Sequence, residues 1–422
     1  MDPITHTLVS MALARAGLEK ATPRATPMLV TAGLAADLDW VSRLGGERAF
    51  LHGHRTGTHS LVAAAAIALV TSSVFSWIGR KHPTAPVRFW PALGVSALGA
   101  AAHLTLDLTN SYGVKLLWPF REKWYAWDLV NPIDPWLLLL LLLGLLLPEL
   151  FRLIGEEIGA KPKQRAAARG AVVALILLLL YIGARWALHD RALEVLRSRV
   201  YHGATPLVVG AFPSGTTPFT WYGVVETDNA LEEIEVPLGP GDRFDPDLGR
   251  TDFKPEPSPA LEAARKSQVG QDFLQFARFP KASVEKNDEG YRIQLRDLRF
   301  AWPFPGDGFS AVIELNRQLQ VVNEELHYGS GGADSRKPST HFSARTASGE
   351  RPGGTRDNSP ESTASQSTRP RVCVRRRSGW PPRHIAPPES QSQDTATPAP
   401  RAPPAQTIAA AHEKLRTQAQ TA

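Results

Sequence analysis

His103 and Asp107 carry the sharpest chemical signal in the chain, four residues apart on an otherwise apolar stretch. At that spacing the two side chains share one face of a helix, one turn apart, and Asn110 extends the face by another turn. An imidazole and a carboxylate so placed bind one metal ion, or the carboxylate orients a ligating imidazole. A buried His–Asp hydrogen bond that pins two membrane helices together is the competing reading.

Three other segments offer the same ligand types. His54-Arg55-Thr56-Gly57-Thr58-His59-Ser60 directly precedes an uncharged apolar run, so its imidazoles can turn back over a helix end. The N-terminus of that helix favours an anionic group, and Arg55 adds bidentate contact to a phosphate or carboxylate. The same residues also suit ordinary polarity at a helix start, and His52 reads as a bystander. Asp37-Leu38-Asp39 follows the small-residue run Ala32–Ala36. Residues two apart point to different sides of an α-helix, so both aspartates reach one centre only if the helix ends there. His6 lies at the start of the first helix and Asp134 at the start of a later one.

The single cysteine, Cys373, excludes an intrachain disulfide and a thiolate metal site. Any ion is therefore held by nitrogen and oxygen, which suits Zn²⁺ or Mn²⁺, as one ion or two. The candidate ligands are His6, Asp37, His54, His59, His103 and Asp107. Asp37, Asp39 and Arg55 are the candidate catalytic groups, with Arg55 on the anionic part of the substrate. A metal-activated water would supply the nucleophile for hydrolysis.

The elements that must position these residues are apolar. Ser60–Ile78, Phe89–Leu108, Trp136–Ile154 and Gly170–Leu188 each reach the ~20 residues that a bilayer span requires. Two shorter helices, Ile4–Leu18 and Pro27–Asp39, precede them. The mean hydropathy of −0.18 hides this, because it averages an apolar N-terminal part with a polar C-terminal one. Arg80, Lys81 and Arg88 mark one cytoplasmic loop, and Lys161, Lys163, Arg165 and Arg169 another. The His/Asp residues then fall near the extracytoplasmic face, together with everything after Leu188. Met1-Asp2-Pro3 lacks the basic start of a cleavable signal peptide.

The expected architecture is an α-helical membrane bundle over 1–190, with about four full spans plus two shorter N-terminal helices. A small extracytoplasmic α+β, antiparallel-sheet domain follows over 191–328, and a disordered tail over 329–422. Tyr291–Leu298 alternates with period two and follows a turn cluster, as a half-buried strand should. Phe309–Leu315 and Leu319–Val322 are expected as further strands, and Leu261–Phe276 as one helix. From Gly329 onward the chain holds one leucine and is rich in Ser, Thr, Pro and Arg. The net charge is +6, but that tail has 14 Lys+Arg against 7 Asp+Glu, which leaves the remainder near neutral. The remainder thus has no basic excess for nucleic acid, so the expected partners are the lipid bilayer and a lipid or phosphoester substrate.

These motifs resemble the YdjM-like family of bacterial inner-membrane, metal-dependent hydrolases. The matching pieces are Met1–His6, Ala35–Asp39, His54–Ser60, His103–Asp107 with Asn110 and Gly113, and Ile133-Asp134-Pro135. Phe212–Trp221 and Asp297-Leu298-Arg299-Phe300 are similar to the extension of some members. The resemblance implies a hydrolase in the cytoplasmic membrane and leaves the substrate open. Two competing readings use the same residues differently. One is a proton-coupled transporter or envelope assembly factor with the His/Asp cluster as a relay. The other makes the β-rich domain the working part and the helices its anchor.

Overall fold

The computed structural model describes residues 1–81, 85–157, 166–215, 217–300 and 308–328. The expected tail with Cys373, and the loop residues Lys161, Lys163 and Arg165, lie outside these.

The first helix, α1 (Pro3–Arg15), begins where Asp2 accepts hydrogen bonds from the backbone N–H of Ile4 and Thr5, each at 3.0 Å. Pro3 occupies its first turn, where no N–H is needed. The next helix, α2 (Ala25–Leu34), packs on α1 and on α5 (Phe89–Leu108), and α5 packs in turn on α4 (Leu61–Arg80). The α2–α5 crossing is close because glycine faces backbone there. A Cβ added to Gly99 would sit 2.8 Å from the Leu29 carbonyl oxygen. A short helix, α3 (Glu47–Gly53), leads into the 54–60 loop, and α6 (Pro135–Glu157) pairs with α7 (Ala166–Arg197).

Among the described residues α4, α5, α6 and α7 are long and apolar enough to cross a membrane. Leu69, Val70 and Val74 on α4, Leu142, Leu146 and Leu150 on α6, and Ile176, Leu179 and Leu180 on α7 are exposed. So broad an apolar surface is unstable against water and suits hydrocarbon, where the helices satisfy their own backbone groups. The structure extends α7 beyond the expected Leu188 to Arg197, and it ends α2 at Leu34 rather than Asp39.

Two antiparallel four-stranded meanders stand where one small sheet domain was expected. The first joins β1 (Val208–Pro213), β2 (Thr220–Glu226), β3 (Ala230–Pro237) and β4 (Arg250–Phe253). Its Trp221, Val225, Ile234 and Val236 share a core with Ala192 and Leu196 of α7. The second follows α8 (Pro259–Lys266) and α9 (Gln268–Phe276) and joins β5 (Pro280–Lys286), β6 (Gly290–Asp297), β7 (Phe309–Asn316) and β8 (Val321–Tyr328). Phe273, Phe276, Ile293, Leu295, Phe309 and Ile313 fill its core, which continues to Leu51 and Tyr112 of the helical part.

Two expectations are corrected here. The single helix over Leu261–Phe276 is broken at Ser267, which has extended backbone (ψ 161°) and accepts from the Gly270 N–H at 3.1 Å. A serine of that kind prefers to cap a helix rather than to sit inside one. The strand expected at Leu319–Val322 starts only at Val321, because Leu319 sits in the turn with φ of 62°.

Candidate metal centre

Four segments deliver polar side chains to one end of the helical bundle. His6 lies in the first turns of α1, and His103 and Asp107 lie in the last turns of α5. His59 immediately precedes Ser60, whose hydroxyl caps α4 by accepting from the Ala63 N–H at 3.1 Å. After Leu34 the chain tightens from α2 into a 3-10 stretch, Ala35–Gly45. Residues two apart diverge by about 160° on an α-helix but about 120° on a 3-10 helix, so the tightening swings Asp37 and Asp39 toward a common side.

His6, Asp37, His103 and Asp107 each offer a ligand atom, and those atoms lie within 4.8 Å of one another. His59 Nε2 joins them, 3.0 Å from Asp107 Oδ2, 3.1 Å from His103 Nε2 and 3.8 Å from Asp37 Oδ1. His103 Nε2 is 3.1 Å from the same Asp107 Oδ2, and His6 Nε2 is 3.6 Å from Oδ1. The His6 ring stacks on His103 with centroids 3.9 Å apart.

The far side of each ring fixes what the near side can be. His103 Nδ1 stands 2.7 Å from the Gly33 carbonyl, an acceptor only, so Nδ1 carries the proton. His59 Nδ1 faces Asp39 Oδ2 at 3.1 Å and Thr58 Oγ1 at 3.0 Å. The Thr58 hydroxyl itself donates to Asp39 at 2.9 Å, so His59 Nδ1 is a donor as well. In neutral rings both Nε2 atoms then present lone pairs toward each other and toward a carboxylate. Buried acceptors that converge without a donor between them repel, and a cation among them relieves this. The N/O donor set fits a divalent ion of the zinc or manganese type.

Asp39 braces the arrangement. Its carboxylate accepts from His54 Nδ1 at 2.9 Å, the Arg55 N–H at 2.8 Å and Thr58 Oγ1, and it faces His59. Burial pushes its carboxyl up, but the hydrogen bonds from His54 and His59 outweigh this and hold it far below the usual carboxylate range. Burial pushes the His54 imidazole below its ordinary value, against the opposing pull of Asp39. His54 stacks on Phe50, with centroids 4.5 Å apart, and reaches the group through Asp39.

Arg55 is buried, and its guanidinium joins the cluster through Nη2, 3.0 Å from Asp107 Oδ1. Its Nη1 donates to Asn110 Oδ1 at 2.8 Å. The residue holds a left-handed backbone (φ 56°), a conformation rare outside glycine and frequent at working sites. The Asp39 bond to its N–H and the 3.0 Å bond from the Lys115 N–H to its carbonyl fix it there.

Asp134 stays away from the cluster. It caps α6 through the N–H groups of Trp136 and Leu137 and accepts from the Tyr181 hydroxyl at 3.0 Å. His52 is also outside, 3.2 Å from Asp272. Sequence reasoning missed the Met1 amino group, which contacts Asp107, and the Gly33 carbonyl behind His103. It also missed Tyr328 of β8, whose ring lies 5.3 Å from Phe50 and 5.9 Å from Tyr112.

Comparison with known proteins places this geometry. Residues 1–192 match the family described as YdjM inner membrane protein. The N-terminal part of the chain is thus similar to that family. Every residue of the cluster, from His6 to Asp107, falls inside the YdjM region. Residues 259–330 match the YfhP C-terminal alpha/beta plait domain, which covers α8, α9 and the second sheet. The uncharacterized protein YfhP of Bacillus subtilis (strain 168) is 27% identical over 145 residues. That match takes in 32% of this chain and 43% of YfhP, so it spans less than half of the relative. No solved structure matches the chain.

Proposed function

We propose that the chain is a membrane-bound, metal-dependent hydrolase that acts on a phosphoester or lipid substrate. One observation carries the reading. Two imidazole Nε2 atoms and a carboxylate oxygen lie within about 3 Å of one another, with both imidazole protons committed to the far sides of the rings.

His6, Asp37, His59, His103 and Asp107 would hold the ion, which we assign as zinc, one or two in number. When bound there, a divalent cation would supply a water of lowered pKa and would draw charge from the substrate oxygen. Asp39 turns His59 into position and His54 steadies Asp39. Asp37 Oδ2 is buried and has no hydrogen-bond partner among the described residues, so it is free to accept a proton from the attacking water. Arg55 holds the anionic part of the substrate. His54, expected as a ligand, becomes a brace in this account because Asp39 stands between it and the centre.

The basic residues Arg80, Lys81 and Arg88 join the opposite ends of α4 and α5 from the cluster. With positive residues inside, the centre and both sheets stand at the outer face of the cytoplasmic membrane. A proton-coupled transporter would place its ionisable groups at mid-membrane rather than at one end of the bundle.

Elemental analysis of the purified protein tests the proposal. Stoichiometric zinc or manganese is expected, and its loss in both His103→Ala and Asp107→Ala. Unchanged metal in the two variants, or none in the parent protein, removes the centre.

A further inference from the structure

Beside the ligand cluster lies a set of buried donors with nothing to donate to. Among the described residues, Arg55 Nε, Asn110 Nδ2 and the Tyr112 hydroxyl have no hydrogen-bond partner, although their residues are 5%, 0% and 3% exposed. The Asn110 amide orientation is not arbitrary. Its Oδ1 accepts from Arg55 Nη1 at 2.8 Å, from the Tyr112 N–H at 2.9 Å and from the Gly113 N–H at 3.4 Å. The other end must therefore be the amide donor. Arg55 Cζ lies 5.2 Å from the centre of the Tyr112 ring and its Nη1 bonds to Asn110, so the three residues are immediate neighbours. Burial pushes the Tyr112 phenol well above its usual range, which keeps it a donor at physiological pH.

An unsatisfied buried donor is destabilising, and three on neighbouring residues call for a ligand with several acceptor oxygens. A permanent guanidinium among them selects a charged group over a neutral ester. Arg55 Nη2 also lies 3.0 Å from Asp107 Oδ1, which puts this group of donors beside the candidate metal ligands.

We propose that Arg55, Asn110 and Tyr112 form an oxyanion subsite that takes the non-bridging oxygens of a phosphate ester, roofed by Tyr328 of the second sheet. The substrate class rests on the hydrolase reading above, whereas the binding of phosphate does not. Tyr328 and Phe300 flank Tyr112, with ring centroids 5.9 and 6.2 Å away, and Arg299 donates to the Ser111 carbonyl at 3.1 Å. The plait domain thus completes the subsite and anchors the loop that carries its donors.

Full-length protein in detergent, titrated with inorganic phosphate by calorimetry alongside elemental analysis, tests this. The parent protein binds phosphate. Tyr112→Phe, which deletes only the hydroxyl, weakens binding about tenfold or more with metal content unchanged, and Asn110→Asp abolishes it. Absence of phosphate binding in the parent, or parental affinity in Tyr112→Phe, overturns the subsite. Phosphate binding without metal leaves the subsite standing and removes the hydrolase, while metal without phosphate binding does the reverse. Competition by p-nitrophenyl phosphate or by phosphatidic acid in mixed micelles identifies a soluble or a lipid-borne ester. Failure of both to displace phosphate overturns the ester assignment.

Discussion

Asp39 Oδ2 stands 3.1 Å from His59 Nδ1, on the side of the ring that faces away from the cluster. The carboxylate therefore governs which way His59 points without touching what His59 would bind. Replacing such a brace lowers metal affinity by about 10- to 100-fold. Asp39→Ala is expected to show that loss in competition with a chromogenic chelator, with helical circular dichroism retained. Parental affinity would mean that His59 needs no support from Asp39.

The α2–α5 crossing sets a second expectation. A methyl group at Gly99 would meet the Leu29 carbonyl at 2.8 Å and Ala32 Cβ at 3.2 Å, and neither can rotate away. Gly99→Ala should cost about 1–3 kcal/mol, as overpacking does, and should pull the Gly33 carbonyl off His103. A lower melting temperature in detergent, accompanied by reduced metal content, is the expected result. A neutral substitution would show that the helices can slide apart freely.

Asp297 and Arg299 form a buried pair, with Arg299 Nη2 2.7 Å from Asp297 Oδ2 and both side chains almost wholly enclosed. Removing one partner of such a pair costs about 3–5 kcal/mol, because the other is left as an uncompensated buried charge. Arg299→Ala should therefore lower stability sharply, and the double variant with Asp297→Ala should recover part of the loss. Melting curves for the three proteins decide it. Additive losses would mean that the pair is not coupled.

The first sheet carries a pH-sensitive contact. Burial pushes the Glu233 carboxyl above its ordinary value, and Tyr222 and Asp252 bond to it. Burial also pushes Asp252 up, but bonds from Lys281 at 2.7 Å, Glu233 and Arg250 outweigh it and keep that carboxyl ionised. A group whose folded pKa is raised adds stability that is complete below the unfolded value, about pH 4. That stability is lost as pH rises through the folded value. Glu233→Gln should flatten this decline and melt higher than the parent at neutral pH. A parent and variant with parallel melting-temperature profiles from pH 4 to 8 would contradict it.

Much of this was legible in the chain, for a physical reason in each case. The spans announce themselves because hydrocarbon demands a long uncharged run, as in α4. The His103–Asp107 pair is legible because a spacing of four fixes a shared face. The roles of Asp39 and His54 are not, since spacing cannot tell a ligand from the group behind it; Thr58 and the backbone of Arg55 decide that. The Ser267 break was hidden because α8 and α9 bury apolar faces that read as one continuous period. Tyr328 is more than 200 residues from Tyr112, and their proximity follows from the order of strands in the second sheet.

α7 has 32 residues, which at about 1.5 Å each makes a rod of roughly 48 Å. The hydrocarbon layer is only about 30 Å thick, so the rod overshoots it and ends inside the core of the first sheet at Ala192 and Leu196. Buried Arg185 ties the overshoot down through the carbonyls of Leu129 and Pro218. The height of that sheet over the bilayer is thus set by a stiff gauge rather than by a tether. One extra helical turn inserted in α7 after Arg185 would raise it by about 5 Å and part Arg185 from the Pro218 carbonyl while leaving it on Leu129.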